Sequence, residues 1–84
     1  PIRTLGIISG GAGYQLADAI DAGLDAYLTG EPTESALHLA QEEGVAFYAG
    51  GHYRTERFGV QALGDRIRDE LGLDVHFIEL PNPV

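Results

Sequence analysis

No cysteine occurs anywhere in the chain, so neither a disulfide nor a thiolate metal site can be built from it. An oxidising compartment is therefore not required, and a cytoplasmic setting is the plain reading. Lysine is missing too: all five basic residues are arginines, set against thirteen acidic ones for a formal charge of −8. So acidic a surface repels phosphate backbones and suits cations, so nucleic-acid binding through this domain alone is not expected. No apolar run approaches the roughly 20 residues that span a bilayer, and no signal-peptide pattern opens the chain. At 84 residues the chain is one small domain, and a domain of that size buries only about 60–65% of its unfolded surface. Domains so thinly cored often lean on metals or oligomerisation when disulfides are unavailable. The first residue is Pro1, a start compatible with a piece of a longer protein.

What is present is a grammar that repeats three times. A short apolar run enters a turn containing glycine, an amphipathic helix follows, and a glycine closes it. Isoleucine, valine, tyrosine and phenylalanine mark strands over Thr4–Ser9, Asp25–Thr29, Val45–Ala49 and Asp74–Leu80. Helices are expected over Tyr14–Ala22, Thr33–Glu43 and Thr55–Leu71, the last with Val60, Leu63, Ile67 and Leu71 on one face. Gly23, Gly44 and Gly72, each followed by an apolar residue, read as left-handed C-caps. Pro32 is expected just inside the second helix, and Gly64 is expected to mark a close approach of the third helix to the sheet. Strands alternating with helices give an α/β fold of three helices on a mainly parallel sheet. Its core should include Ile7, Tyr27, Leu28, Phe47, Leu63, Ile67 and Phe77.

In such a sheet the strand-to-helix turns emerge together at the carboxyl edge, where ligands bind. Three turns should therefore converge: residues 9–13, 29–31 and 50–56. His52 and Glu56 stand four apart at a helix start, so both can face one point. Imidazole plus carboxylate suits zinc, iron, manganese or nickel better than calcium, while a surface ion pair is the plainer alternative. Glu31 can serve at the same edge as a ligand, as an outer acceptor or as a proton shuttle. It can equally be a carboxylate that stabilises the helix after Pro32. Ser9 to Gly13 can cradle an anion on its amides or simply form a tight turn, and it lacks the P-loop and dinucleotide fingerprints. His38 reads as a helix-surface partner of Glu34 or a satisfied, partly buried histidine, and His76 as a structural strand residue.

These strings resemble a known family. Thr29-Gly30-Glu31, then Gly51-His52-Tyr53-x-Thr55-Glu56 with Phe58-Gly59-Val60 behind it, is similar to the NGG-interacting-factor-three-like proteins. These are also called dinuclear metal centre proteins or GTP cyclohydrolase I type 2 homologues. The opening Gly6-x-x-Ser9-Gly10-Gly11-x-Gly13 and the closing Phe77-Ile78-x-x-Pro81-Asn82-Pro83 match as well, so the resemblance covers nearly the whole chain. It implies one half, the C-terminal portion, of a two-lobed intertwined α/β fold whose sheet is mixed. It implies two divalent metal ions, zinc, iron or manganese, with His52 and Glu56 as ligands and Glu31 as a catalytic residue near them. The family's N-terminal histidine and aspartate ligands have no counterpart here, so the missing N-terminal half or another subunit is the expected partner. The assembly it implies is a toroidal hexamer.

Two functions compete on this basis. One is half of a dinuclear-metal site for metal-dependent hydrolysis of a nucleotide such as GTP. The other is a non-catalytic, metal-stapled scaffold domain of a ring-shaped oligomer. An anion-binding module built on Gly10 to Gly13 trails both.

Overall fold

The computed structural model describes residues 1–84. Three strand–helix pairs follow one another: β1 (Leu5–Ile7) and α1 (Leu16–Asp21), β2 (Ala26–Thr29) and α2 (Glu34–Glu43), β3 (Ala46–Ala49) and α3 (His52–Leu71). A 3₁₀ turn over Gly13–Gln15 leads into α1. The strands form one sheet in the order β1-β2-β3, and both pairings are parallel. The sheet is therefore wholly parallel, the simpler of the two expected arrangements. Gly23, Gly44 and Gly72 all take positive φ at the helix ends, as the C-cap reading requires.

Strand alternation separates the two faces of the sheet. One row across it is Gly6, Tyr27 and Phe47; the next is Ile7, Leu28 and Tyr48. The first row meets α1 and α2, whose Leu16, Ala19, Ala36 and Ala40 close over Tyr27 with Ile20, Leu24, Leu39, Val45 and Phe47 packed around them. Alanines at the contact let both helices lie close to the strands. Gly6 extends that economy, since a Cβ there would meet Leu24 Cδ1 at 2.8 Å. At the opposite, amino edge, Asp25 latches β2 to the residues before β1. Its carboxylate accepts the N–H groups of Arg3 and Thr4 at 2.9 Å each and the Thr4 hydroxyl at 3.0 Å. The Arg3 and Thr4 backbone donors, with the Thr4 hydroxyl, hold this carboxyl below the usual range.

The second row has only the first turns of α3 beside it, where Thr55 and Phe58 lie near Ile7 and Leu28, and there the expected core fails. Ile7 is 65% exposed and Tyr48 is 49% exposed, while Leu28 is half-buried. The two crossover helices share one face, so the other face of the sheet stays largely uncovered. The third helix does not cover it. α3 starts at His52, three residues earlier than expected, touches the sheet only near its beginning and has no buried residue. Leu63 is 61% exposed and Phe77 is 43% exposed, although both were expected in the core; Ile67 is half-buried. Twenty helical residues run about 30 Å, which gives the molecule its 51 × 25 × 19 Å extents. No helix is long and apolar enough to cross a membrane.

The expected fourth strand, Asp74–Leu80, does not form. A strand needs a neighbour's ladder, and this segment lies along α3 instead of along either sheet edge. Arg68 donates to the Val75 carbonyl, Arg57 donates to the Glu79 carboxylate at 2.8 Å, and the Tyr53 N–H donates to the Val84 carbonyl at 2.8 Å. The Arg57 guanidinium also lies 5.7 Å from the Tyr53 ring centre and 5.6 Å from that of Phe77. Gly64 does mark a close approach, but to Val75 of this returning segment and not to the sheet. His76 is correspondingly exposed beside Asp74, not a structural strand residue. Pro32 falls one residue outside the N-cap Thr33, because α2 begins at Glu34.

This distribution fixes what truncation should cost. Leu16 has no exposed surface, and Leu16→Ala should lose about 2–5 kcal/mol, the cost of a buried leucine. Leu63→Ala in the same chain should stay within about 0.5 kcal/mol, as exposed substitutions do. Urea denaturation of the two variants checks the contrast; equal losses would contradict this packing.

Candidate functional site

The three strand-to-helix turns meet at the carboxyl edge of the sheet, as the alternating pattern requires. Their backbones are joined directly: the Gly30 N–H donates to the Gly10 carbonyl and the Gly51 N–H to the Gly30 carbonyl, each at 2.9 Å. Thr29, 2% exposed at the end of β2, pegs the first turn in place. Its hydroxyl donates to the Gly10 carbonyl at 3.0 Å and accepts the Ala12 N–H at 3.2 Å. The Tyr27 hydroxyl donates to the Ala12 carbonyl at 2.7 Å. With the Gly10 carbonyl and the Ala12 N–H engaged inward, the first turn is part of the scaffold of the edge.

Gly30 is the tightest point. A Cβ there would lie 2.7 Å from the Gly10 carbonyl oxygen and 2.9 Å from His52 Cα. Only glycine lets β2 deliver its next residue against the start of α3. Gly51, the N-cap of α3, has φ +91, which aims the helix away from β3 with His52 as its first residue.

The side chains that follow form a line. Glu31 Oε1 lies 2.5 Å from His52 Nδ1, and Glu56 Oε2 lies 3.0 Å from His52 Nε2. The imidazole therefore stands between two carboxylates, one from the β2–α2 turn and one from the second turn of α3. All three side chains are about two-fifths exposed. The Glu31 hydrogen bond is the largest influence on the ring and raises its pKa, burial opposes this, and the Glu56 charge adds to it. Gly10 also faces this cluster, at 3.3 Å from Glu56 Oε1 measured from its would-be Cβ.

The separation of His52 Nε2 from Glu56 Oε2 is compatible with two ligands of one cation. Two ligands held about 2.0–2.1 Å from one ion at tetrahedral or square angles stand about 2.8–3.4 Å apart, and the observed separation is 3.0 Å. Glu31 cannot join them on that ion, because it sits on the other ring nitrogen. No group of three or more histidine, aspartate or glutamate side chains is arranged around one point. His38 is exposed on α2 and forms no ion pair with Glu34, and His76 is far from this edge on the returning segment.

The family model described as Duf34/NIF3 (NGG1p interacting factor 3) matches residues 1–83. The chain belongs to this family. The GTP cyclohydrolase 1 type 2 homolog of Pseudomonas aeruginosa is 49% identical over 83 residues, covering 99% of this chain and 33% of that protein. The protein of the same name from Haemophilus influenzae is 43% identical over 82 residues, covering 98% of this chain and 33% of that one. A solved structure of the protein ybgI, described as of unknown function, superposes with a TM-score of 0.87 at 42% identity over 93% of this chain and 32% of that chain. This Duf34/NIF3 chain thus spans about a third of the length of the curated relatives it matches.

Sequence reading brought Glu31, His52 and Glu56 to one edge, and the structure brings them into contact. It missed Thr29. The signal was available, since a threonine just before Gly30 at a strand end is a natural peg for the preceding loop, but the string drew attention only to its glutamate.

The raised pKa of His52 carries a sign. A histidine whose folded pKa exceeds its unfolded value of about 6.5 stabilises the fold fully below that value. The contribution fades as pH rises through the folded pKa. Proton NMR should therefore place the His52 midpoint above about 6.5, and Glu31→Ala should lower it. A midpoint unmoved by Glu31→Ala would show that the carboxylate does not govern the ring.

Proposed function

We propose that this Duf34/NIF3 chain supplies half of a dinuclear-metal site used for metal-dependent hydrolysis, in the manner of a GTP cyclohydrolase type 2. The observation that supports this most directly is the His52–Glu56 pair at metal-bridging separation, on the edge where three turns converge. The names carried by the relatives agree with it. His52 Nε2 and the Glu56 carboxylate are the two ligands in this reading, and Glu31 is the third polar group at the edge. The candidate ions are zinc, iron and manganese, which accept one imidazole and one carboxylate among their ligands. When bound, two such ions lower the pKa of a coordinated water toward about 7 and polarise the substrate.

The chain's own residues do three things here. The Gly10–Gly30–Gly51 backbone ladder holds the ligand pair in place. The acidic surface favours cations over free anions. The exposed position of the pair leaves its outer side open to further ligands, which are to come from the remaining part of a longer family chain or from another subunit. In this reading the whole protein is a ring-shaped homo-oligomer, a toroidal hexamer by the family resemblance. It works in the cytoplasm and takes a nucleotide substrate.

A second reading has an observation of its own. The largely uncovered row Ile7, Leu28 and Tyr48 and the exposed apolar face of α3 are surfaces that other parts of an assembly would cover, since parallel sheets are normally covered on both faces. A metal at His52 and Glu56 would then staple a scaffold without turning over a substrate.

Metal analysis and a GTP turnover assay separate the two. The 84-residue chain should bind metal weakly, lose it readily to chelators and show no turnover above background. In a longer family protein carrying these residues, His52→Ala should remove at least one metal and abolish hydrolysis. Two tightly held ions per 84-residue chain would overturn the half-site reading. Unchanged metal content after His52→Ala would remove His52 as a ligand.

A further inference from the structure

Two carboxylates address one imidazole, and they are not equivalent. Glu31 reaches Nδ1 at 2.5 Å from a backbone that cannot shift easily. Its neighbour Gly30 is wedged between the Gly10 carbonyl and His52 Cα, with both its N–H and its carbonyl used in the ladder between turns. Glu56 reaches Nε2 at 3.0 Å from the helix surface, four residues along α3, where its exposed side chain can change rotamer at little cost. A neutral ring carries one hydrogen and can donate to only one of them. The shorter contact and the more rigid partner are both on the Nδ1 side.

We propose that Glu31 is a positioning residue: it takes the Nδ1–H of His52, fixes the neutral ring in that tautomer and leaves the Nε2 lone pair facing Glu56 for a divalent cation. This rests on the reading of His52 and Glu56 as a cation-binding pair. It also decides among the roles open to Glu31. A carboxylate on Nδ1 cannot ligate the ion on Nε2, because the two ring nitrogens point away from each other. With Oε1 accepting from the ring, the acceptor role is the one its geometry serves. Histidine ligands generally donate their second nitrogen to a carboxylate or carbonyl in this way, which sets the tautomer and the ring orientation. Glu31 supplies that acceptor from a different turn, and so ties the ligand's orientation to the β2–α2 loop and not to its own helix. The glycines around it serve the same end: a side chain at Gly30 would separate the acceptor from the ring.

The test reads the ring directly. The chain is labelled with ¹⁵N, and long-range proton–nitrogen correlation of His52 is recorded about two pH units above the ordinary imidazole value of about 6.5. Zn²⁺ affinity is measured alongside by chelator competition. The wild type should carry its hydrogen on Nδ1. Glu31→Ala should shift the hydrogen to Nε2, the nitrogen that bears it in an unconstrained side chain, and weaken Zn²⁺ binding by about 10–100-fold. Glu31→Gln, whose amide oxygen can still accept from Nδ1, should keep the Nδ1–H tautomer and most of the affinity. A merely structural role would not separate these two variants. A wild-type ring protonated on Nε2, or a Glu31→Ala ring unchanged in tautomer, overturns the proposal. His52→Ala distinguishes the levels. Zn²⁺ binding indifferent to His52→Ala removes the cation reading and this inference with it. Zn²⁺ binding that needs His52 but ignores Glu31→Ala removes this inference alone.

Discussion

The carboxyl edge of the sheet is organised by a backbone that passes where no side chain fits. At Gly30 the chain leaves β2 with a carbonyl oxygen of the first turn on one side and the first residue of α3 on the other, both within 3 Å of where a Cβ would be. Hydrogen bonds from Gly30 to Gly10 and from Gly51 to Gly30 then run straight across the three turns. Because the turns are joined backbone to backbone, Glu31 and His52 meet without long, flexible side chains having to find each other. Fixing a side chain costs rotamer entropy, and most of that ordering has already been done by the main chain. The Thr29 peg and the Tyr27 hydroxyl, both buried, extend the same rigidity into the core.

The rest of the molecule is asymmetric about this edge. One face of the sheet is filled by α1 and α2 through alanine and glycine contacts around Tyr27. The other presents Ile7 and Tyr48 to solvent, and α3 departs with Val60, Leu63 and Leu71 exposed. Exposed apolar side chains in such number are what an interface would use. A chain that spans about a third of its relatives would be expected to carry such surfaces. The returning segment, clamped by Arg57 between two aromatic rings, covers only part of α3.

What the sequence revealed followed from local rules. The three-fold repeat of strand, turn, helix and glycine placed every strand of the sheet within a few residues and fixed the parallel topology. The same rule predicted the convergence of residues 9–13, 29–31 and 50–56, and hence the meeting of Glu31, His52 and Glu56. What failed was anything that depended on partners in space. Ile7, Leu63 and Phe77 are apolar and correctly patterned, yet a pattern names the face of an element without saying what covers it. The segment Asp74–Leu80 has the composition of a strand, but strand formation needs an edge to pair with. Arg57 and Arg68 tie it to α3 instead. Which carboxylate lies nearer to which nitrogen of His52 was also beyond sequence.

In the proposed function a cation sits on the Nε2 side of His52, shared with Glu56, while Glu31 holds the opposite nitrogen. Crystals of the chain soaked in Zn²⁺ or Mn²⁺ and measured at the corresponding absorption edges test this by position. An anomalous peak is expected about 2.0–2.2 Å from both His52 Nε2 and a Glu56 carboxylate oxygen, with Glu31 still bonded to Nδ1. A peak on the Nδ1 side with Glu31 as its ligand, or soaked metal bound only elsewhere on the acidic surface, would contradict it.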